Sequence, residues 1–167
     1  MQQSVLKRGN PLLNKVCELV TDINEVQTVI LNMMDTLNHI ATLYDFRRGH
    51  GIAAPKIGYL KRINIVQFDG LTKILINPKI INHSLEQEPI REGCLSFFNV
   101  RGNVTRHKEV EIEALNENGS PFKLQAQGNF AMLLQHELDH LDGILYVDRL
   151  SNGEKDLYAV ENMPAIP

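Results

Sequence analysis

The stretch NFAMLLQHELDHLD, residues 129–142, decides how this chain folds. Its first half is apolar on every side, which is typical of a helix buried all round. Gly143 follows where a glycine often ends a helix, because glycine accepts the positive φ of a C-terminal cap. The sequence therefore predicts a buried helix in the C-terminal part of the chain.

This helix carries an HExxH pattern made of His136, Glu137 and His140. Residues i and i+4 share one helix face, so both imidazoles can reach one metal ion, and Glu137 is near enough to take a proton from metal-bound water. A pair of hydrogen-bonded core histidines is the alternative, which so short a motif does not exclude. Two histidines make half a tetrahedral site, so a third ligand is needed.

Cys94 is the favoured third ligand. It lies in REGCLS, residues 91–96, where Gly93 permits close backbone approach and the flanking residues favour an extended segment. The alternative for a lone cysteine is a small buried hydrophobe. Cys17 keeps that second interpretation, because its segment LLNKVC contains no polar cluster.

Two other sources of a third ligand are weaker. The extended metzincin pattern requires a third histidine where this chain has Tyr146. Glu154 or Glu161 would serve as the distant carboxylate of a thermolysin-like protease, but nothing around them resembles a second active-site helix. A general metalloprotease is therefore the least favoured hydrolase.

Composition limits the function classes. The chain has 167 residues, 43% of them hydrophobic and 22% charged, without repeats, so we expect a single domain over residues 1–167. A net charge of -3 gives no general electrostatic basis for binding DNA. The most apolar uncharged stretch, residues 26–34, is far shorter than the roughly 20 residues of a membrane helix. The first residues lack the apolar segment of a signal peptide, which predicts a cytoplasmic protein.

Periodicity predicts the remaining elements. A long amphipathic helix runs from Asp22 and Glu25, its capping pair, to Arg47, Arg48 and Gly49, with apolar residues at Val26, Val29, Ile30, Met33, Met34, Leu37, Ile40, Ala41 and Tyr44. Alternation and β-branched residues predict strands at residues 62–68, 73–76, 109–115 and 122–126, the last two forming a hairpin at Asn118-Gly119.

Three separated blocks resemble the peptide deformylase family. They are GHGIAAPK (residues 49–56), EGCLS (92–96) and HELDH (136–140), in the family's order and spacing, and the resemblance extends over about residues 4–150. It implies an α+β fold in which antiparallel strands pack around the buried metal-binding helix. It also implies a metal hydrolase that removes the N-formyl group from the N-terminal methionine of nascent polypeptides.

The resemblance assigns the site residue by residue. Cys94, His136 and His140 would hold one divalent ion, usually Fe²⁺, which Ni²⁺, Co²⁺ or Zn²⁺ replaces, and Glu137 would act as general base. The backbone N–H of Leu95 would stabilise the oxyanion. Glu92 and Arg106 would form a supporting ion pair, whose alternative is a solvated surface pair. Substrate contacts would come from Gly51, Gly93 and the apolar pocket of Ile90, Met132 and Leu133.

The sequence departs from the family at three places. Lys56 stands where the family has the glutamine that helps stabilise the oxyanion. A lysine there can donate to the oxyanion, pair with Glu137, lose its proton through desolvation and repulsion by the metal, or point to solvent. Activity would be kept, lowered, or redirected to another N-formyl or N-acyl amide.

His50 replaces a small apolar residue and is predicted to contact the substrate. Residues 151–167 lack the basic helix through which many bacterial members contact the ribosome, although transient ribosome contact remains an expectation.

Overall fold

A computed structural model describes residues 1–43 and 49–160 of the chain. The helices are α1 (Gln27–Leu43) and α2 (Gly128–Leu141), and the strands are β1 (His50–Ala53), β2 (Ile63–Phe68), β3 (Leu71–His83), β4 (Gln87–Cys94), β5 (Phe97–His107), β6 (Glu109–Leu115), β7 (Pro121–Gln127) and β8 (Tyr158–Ala159). Pairings between these strands are antiparallel. The predicted α+β fold is confirmed.

The strands form two sheets around α2. One sheet has the order β1-β2-β3-β6-β7, and the other has the order β4-β5-β8. The predicted hairpin of β6 and β7 is confirmed, with Gly119 in the left-handed region at φ 79° as its turn requires. The helix α2 contacts β1, β2, β5, β6 and β7, so residues of both sheets lie against it.

Helix α2 is buried along most of its length, as its apolar first half predicts. Ala131 and Leu134 are completely buried and pack in one apolar cluster with Leu75, Ile112 and Ala126 of the five-stranded sheet. Burial continues through the polar second half of the helix, where Gln135, His136, Glu137, Asp139 and His140 are all buried. The fold therefore encloses the HExxH pattern.

Helix α1 is shorter than predicted at its N-terminal end. A 3-10 turn, Asn24–Val26, precedes it, and Asp22 accepts a hydrogen bond from the backbone N–H of Asn24 at 2.9 Å instead of capping the α-helix. The predicted apolar face is confirmed from Val29 to Ile40. Tyr44, Arg47 and Arg48, the predicted helix end, lie outside the described residues.

Strand β3 is much longer than the predicted 73–76. Its first half pairs with β2 and its second half with β6, and the register shifts between Ile76 and Lys79. Asn77 and Pro78 occupy this shift, with Asn77 at φ 53°. Such residues usually mark turns, which is why sequence alone ended the strand too early. None of the described helices is long and apolar enough to cross a membrane.

Two leucines of α1 test how much of its stability comes from packing. We expect Leu37→Ala to lower the free energy of unfolding by about 2–5 kcal/mol, because this completely buried side chain leaves a cavity in the core. Leu31→Ala on the exposed face should change it by less than about 0.5 kcal/mol. Urea unfolding measures both variants, and equal losses would contradict this packing.

Candidate metal centre and active site

Helix α2 brings two imidazoles to one point. His136 and His140 lie one turn apart, with their Nε2 atoms separated by 3.1 Å and their rings nearly perpendicular at 80°. Nδ1 of His136 lies 2.9 Å from Oε2 of Glu92 and donates to it, which turns Nε2, the atom that would bind a metal, toward His140. A carboxylate behind a histidine is the usual support of a metal-ligating imidazole.

Cys94 completes the group from the end of β4. Its Sγ lies 3.4 Å from Nε2 of His140, and the ligand atoms of Cys94, His136 and His140 all lie within 4.8 Å of one another. Tetrahedral ligands at metal–ligand bonds of about 2.0–2.3 Å lie about 3.3–3.7 Å apart. The His136–His140 and Cys94–His140 separations of 3.1 and 3.4 Å are close to this range. Sulfur and two imidazole nitrogens suit a borderline divalent ion. The donor set therefore fits a metal ion with one position left open.

A buried ion-pair network supports these ligands. Arg106 of β5 donates to both oxygens of Glu92, at 2.6 and 3.0 Å, and to Asp139 of α2 at 2.6 Å. Arg149 also pairs with Asp139. Burial by itself would raise the pKa of Glu92, but hydrogen bonds from His136 and Arg106 outweigh it and lower the pKa to about 2.

This network was only partly predictable. The Glu92–Arg106 pair is confirmed, and the alternative of a solvated surface pair is wrong, since both residues are 3% exposed or less. Sequence analysis gave no role to Asp139 or Arg149. The position of Asp139 inside the HELDH block, on a helix predicted to be buried, was the available signal, because a buried carboxylate requires a cationic partner.

Lys56 lies inside the site and not in solvent. It belongs to a short 3-10 helix, Ala54–Ile57, that follows β1, and only 1% of its surface is exposed. Its Nζ donates to both carboxylate oxygens of Glu137, at 3.1 and 3.2 Å. Of the four predicted outcomes for this lysine, pairing with Glu137 is confirmed and exposure to solvent is wrong.

The buried charges shift each other's pKa values. Burial would lower the pKa of Lys56, but negative charge on Cys94 and Glu137 outweighs it and holds the pKa above its usual value. Burial would raise the pKa of Cys94, but the Lys56 and His136 charges outweigh it and lower this pKa. A lower pKa makes the thiolate, the form that binds metals, easier to reach.

The two histidines differ in their proton affinity. Burial, followed by the positive charges of Lys56 and His136, lowers the pKa of His140 well below its usual value. For His136, burial is outweighed by hydrogen bonds with Cys94 and Glu92, which raise its pKa to about 9. A metal ion that binds both imidazoles must therefore displace a proton from His136.

Two predicted substrate-contacting glycines lie where a side chain would not fit. A Cβ on Gly51 of β1 would lie 2.9 Å from Cγ of Glu137, and a Cβ on Gly93 would lie 2.4 Å from Cζ of Arg101. Glycine at these positions therefore leaves room for Glu137 beside the buried Gly51 and for Arg101 beside Gly93, which directly precedes Cys94. Their strands, β1 and β4, each stand at one end of a sheet.

The remaining predicted residues surround this centre. Leu95 is the first residue of the turn between β4 and β5, directly after Cys94. Ile90 and Leu133 are buried, Met132 is half-buried, and His50 lies on β1 opposite Gln67. Among the described residues, Cys94, His136 and His140 form the only candidate metal-binding group, so His50 does not join it.

The weaker alternatives lack structural support. Glu154 is exposed and pairs with Arg8, and Glu161 lies outside the described residues. Cys17 packs with Ala53 and Leu141, and burial raises its pKa to about 11, so it is the buried hydrophobe that was predicted. Tyr146 is buried with its ring 6.1 Å from that of His136.

Comparison with known proteins identifies the family. The family model for polypeptide deformylase matches residues 2–156. The chain belongs to the polypeptide deformylase family. A peptide deformylase of Natranaerobius thermophilus is 41% identical over 150 residues, covering 88% of this chain and 91% of the relative. Peptide deformylase 2 of Clostridium perfringens is 42% identical over 149 residues, with 88% and 92% covered.

Solved deformylases share the fold. The crystal structure of a peptide deformylase from Legionella pneumophila superposes with a TM-score of 0.82 at 32% identity, covering 90% of this chain and 87% of that one. The enzyme from Synechococcus elongatus, solved in complex with actinonin, gives a TM-score of 0.81 at 34% identity. The match covers 90% of this chain and 79% of that one. The family removes the N-formyl group from nascent polypeptides.

Removing Arg106 tests the ion-pair network. We expect Arg106→Met to lower the free energy of unfolding by about 3–5 kcal/mol, because Glu92 and Asp139 would keep buried charge without their shared partner. Lys108 lies two residues after Arg106 and forms an exposed ion pair with Glu86. Lys108→Met removes this pair and should lower the free energy of unfolding by about 1 kcal/mol or less. Urea unfolding at matched metal content gives both values. Similar losses in the two variants would refute a special role for the buried network.

Proposed function

We propose that Cys94, His136 and His140 hold one divalent ion and that this centre removes the formyl group from N-terminal formylmethionine. The observation that carries the proposal is the convergence of the Cys94 sulfur and two imidazoles beside the buried carboxylate of Glu137. We expect Fe²⁺ in the cell, with Zn²⁺, Ni²⁺ or Co²⁺ as replacements, because this donor set suits borderline divalent ions. One structural domain over residues 1–167 would provide the whole site.

Glu137 would move the proton in this reaction. A divalent ion supplies Lewis acidity that lowers the pKa of a water molecule and polarises the formyl oxygen. Glu137 accepts the proton of the attacking water and returns it to the leaving amine of methionine. Lys56 restricts the carboxylate to one position, since it donates to both oxygens.

Two donors would stabilise the oxyanion that develops on the formyl group. The backbone N–H of Leu95 belongs to the turn next to Cys94, and Lys56 offers an ammonium where most of the family has a glutamine amide. A charged donor in a buried site stabilises developing negative charge more strongly than a neutral one. Lys56 would thus take the donor role of the family glutamine while remaining paired to Glu137.

The substrate would enter as an extended strand. Gly51 on β1 and Gly93 on β4 belong to strands with one unpaired edge, which are templates for peptide backbone. Ile90, Met132 and Leu133 would form the apolar pocket for the methionine side chain, and His50 would contact the peptide further along. Newly made chains carry the formyl group, so the partners would be nascent peptides in the cytoplasm, met during transient contact with the ribosome.

Deformylation of a formyl-Met tripeptide tests the proposal. Protein loaded with Fe²⁺ or Ni²⁺ without oxygen should release formate, and Glu137→Gln should lower kcat by about 10²–10⁴-fold while retaining the metal. Cys94→Ala should lose the metal itself, measured by elemental analysis. Glu154→Gln, an exposed carboxylate paired with Arg8, is the matched control and should keep full activity.

The outcomes separate the competing functions. A metal-loaded wild type that hydrolyses acetyl-Met faster than formyl-Met would replace deformylation by another amide hydrolysis. A wild type that binds metal and releases no formate would refute the proposed reaction. Retention of metal and activity by Cys94→Ala would exclude Cys94 as a ligand.

A further inference from the structure

Lys56 places a permanent positive charge in a site that also fits a metal ion. Its ammonium donates to both oxygens of Glu137, at 3.1 and 3.2 Å, and its charge also acts on the nearby sulfur of Cys94. Water does not compensate this charge, since 1% of the residue is exposed. The ammonium therefore bridges the proposed general base and one of the proposed metal ligands.

The neighbouring charges explain why a cation is stable there. Glu92 and Asp139 are paired with Arg106 and Arg149, so that network compensates its own charges. Glu137 lies outside these arginine pairs, and the cation that pairs with its carboxylate is Lys56, at 3.1 and 3.2 Å. Buried anions without a partner would strongly disfavour folding.

A divalent ion bound to Cys94 would supply the same compensation. Ion and ammonium would then lie beside the same sulfur, and two cations in a low-dielectric interior repel each other. A charge that stabilises the metal-free form more than the metal-bound form must lower metal affinity by the same factor. A neutral side chain at position 56 would neither stabilise the metal-free form by its charge nor lower the metal affinity.

We infer that Lys56 is a built-in counter-ion, which stabilises the metal-free fold and weakens binding of the metal ion. This inference rests on the proposed metal site of Cys94, His136 and His140. It makes Lys56 a determinant of metal affinity in addition to its place beside Glu137. Folding of this chain would depend less on the metal than folding of a chain with a neutral residue at this position.

The test uses Lys56→Met and Lys56→Gln, two neutral replacements. For each purified, chelator-treated protein we would measure Tm, and then the Kd for Zn²⁺ by competition with a chromophoric chelator. Both variants should unfold about 5 °C or more below the wild type when metal-free. Both should bind Zn²⁺ at least about tenfold more tightly. Lys61→Met, which removes an exposed lysine paired with Glu18, should change neither value.

Opposite signs of the two effects distinguish a counter-ion from a packing role. A side chain that merely fills space would lower Tm and weaken Zn²⁺ binding together, and that result would overturn the inference, as would unchanged affinity in both variants. If Lys56→Met does not fold, the Kd of Lys56→Gln decides alone. Both readouts need no substrate, so a wild type that binds Zn²⁺ but releases no formate would refute only the proposed reaction.

Discussion

Burial of the polar half of α2 is the constraint around which the rest of the structure is arranged. The helix carries four ionisable side chains into the interior within five residues: His136, Glu137, Asp139 and His140. Each must find a partner, because a buried charge without one costs several kcal/mol. The partners come from three directions: Cys94 from the end of β4, Arg106 from β5, and Lys56 from the turn after β1. The elements that surround α2 therefore supply these polar partners as well as the apolar residues of the core.

These partners form two groups, one around Arg106 and Arg149 and the other around Lys56. Arg106 pairs with Glu92 and Asp139, and Arg149 also pairs with Asp139, so both carboxylates have arginine partners from the chain itself. In the group around Cys94 and Glu137, Lys56 pairs with both oxygens of Glu137, and its charge acts on Cys94 together with that of His136. The identity of residue 56 thus decides whether negative charge at the reaction centre is balanced by the chain or by the metal. The same fold can in this way couple metal binding to folding strongly or weakly.

Sequence patterns located the elements whose burial follows a local period. Helix α2, the buried face of α1 and the hairpin of β6 and β7 were predicted because apolar spacing and turn residues encode them over a few residues. Strand β3 was cut short at Asn77 and Pro78, where the structure continues through a register shift. Pairing with β6 maintains the strand there, and a partner distant in sequence leaves no trace in the local pattern.

The side chains able to hold a metal ion can be read from the residues alone. So can the shared helix face of His136 and His140, since their i and i+4 spacing places them together on any α-helix. Only the tertiary structure decided where Lys56 lies, 81 residues before its partner Glu137. Local sequence favours an exposed lysine, because solvation of an ammonium is strong. The folded chain reverses that preference by placing a thiolate and a carboxylate around it, and charge pairing in a low-dielectric interior has no counterpart in the unfolded sequence.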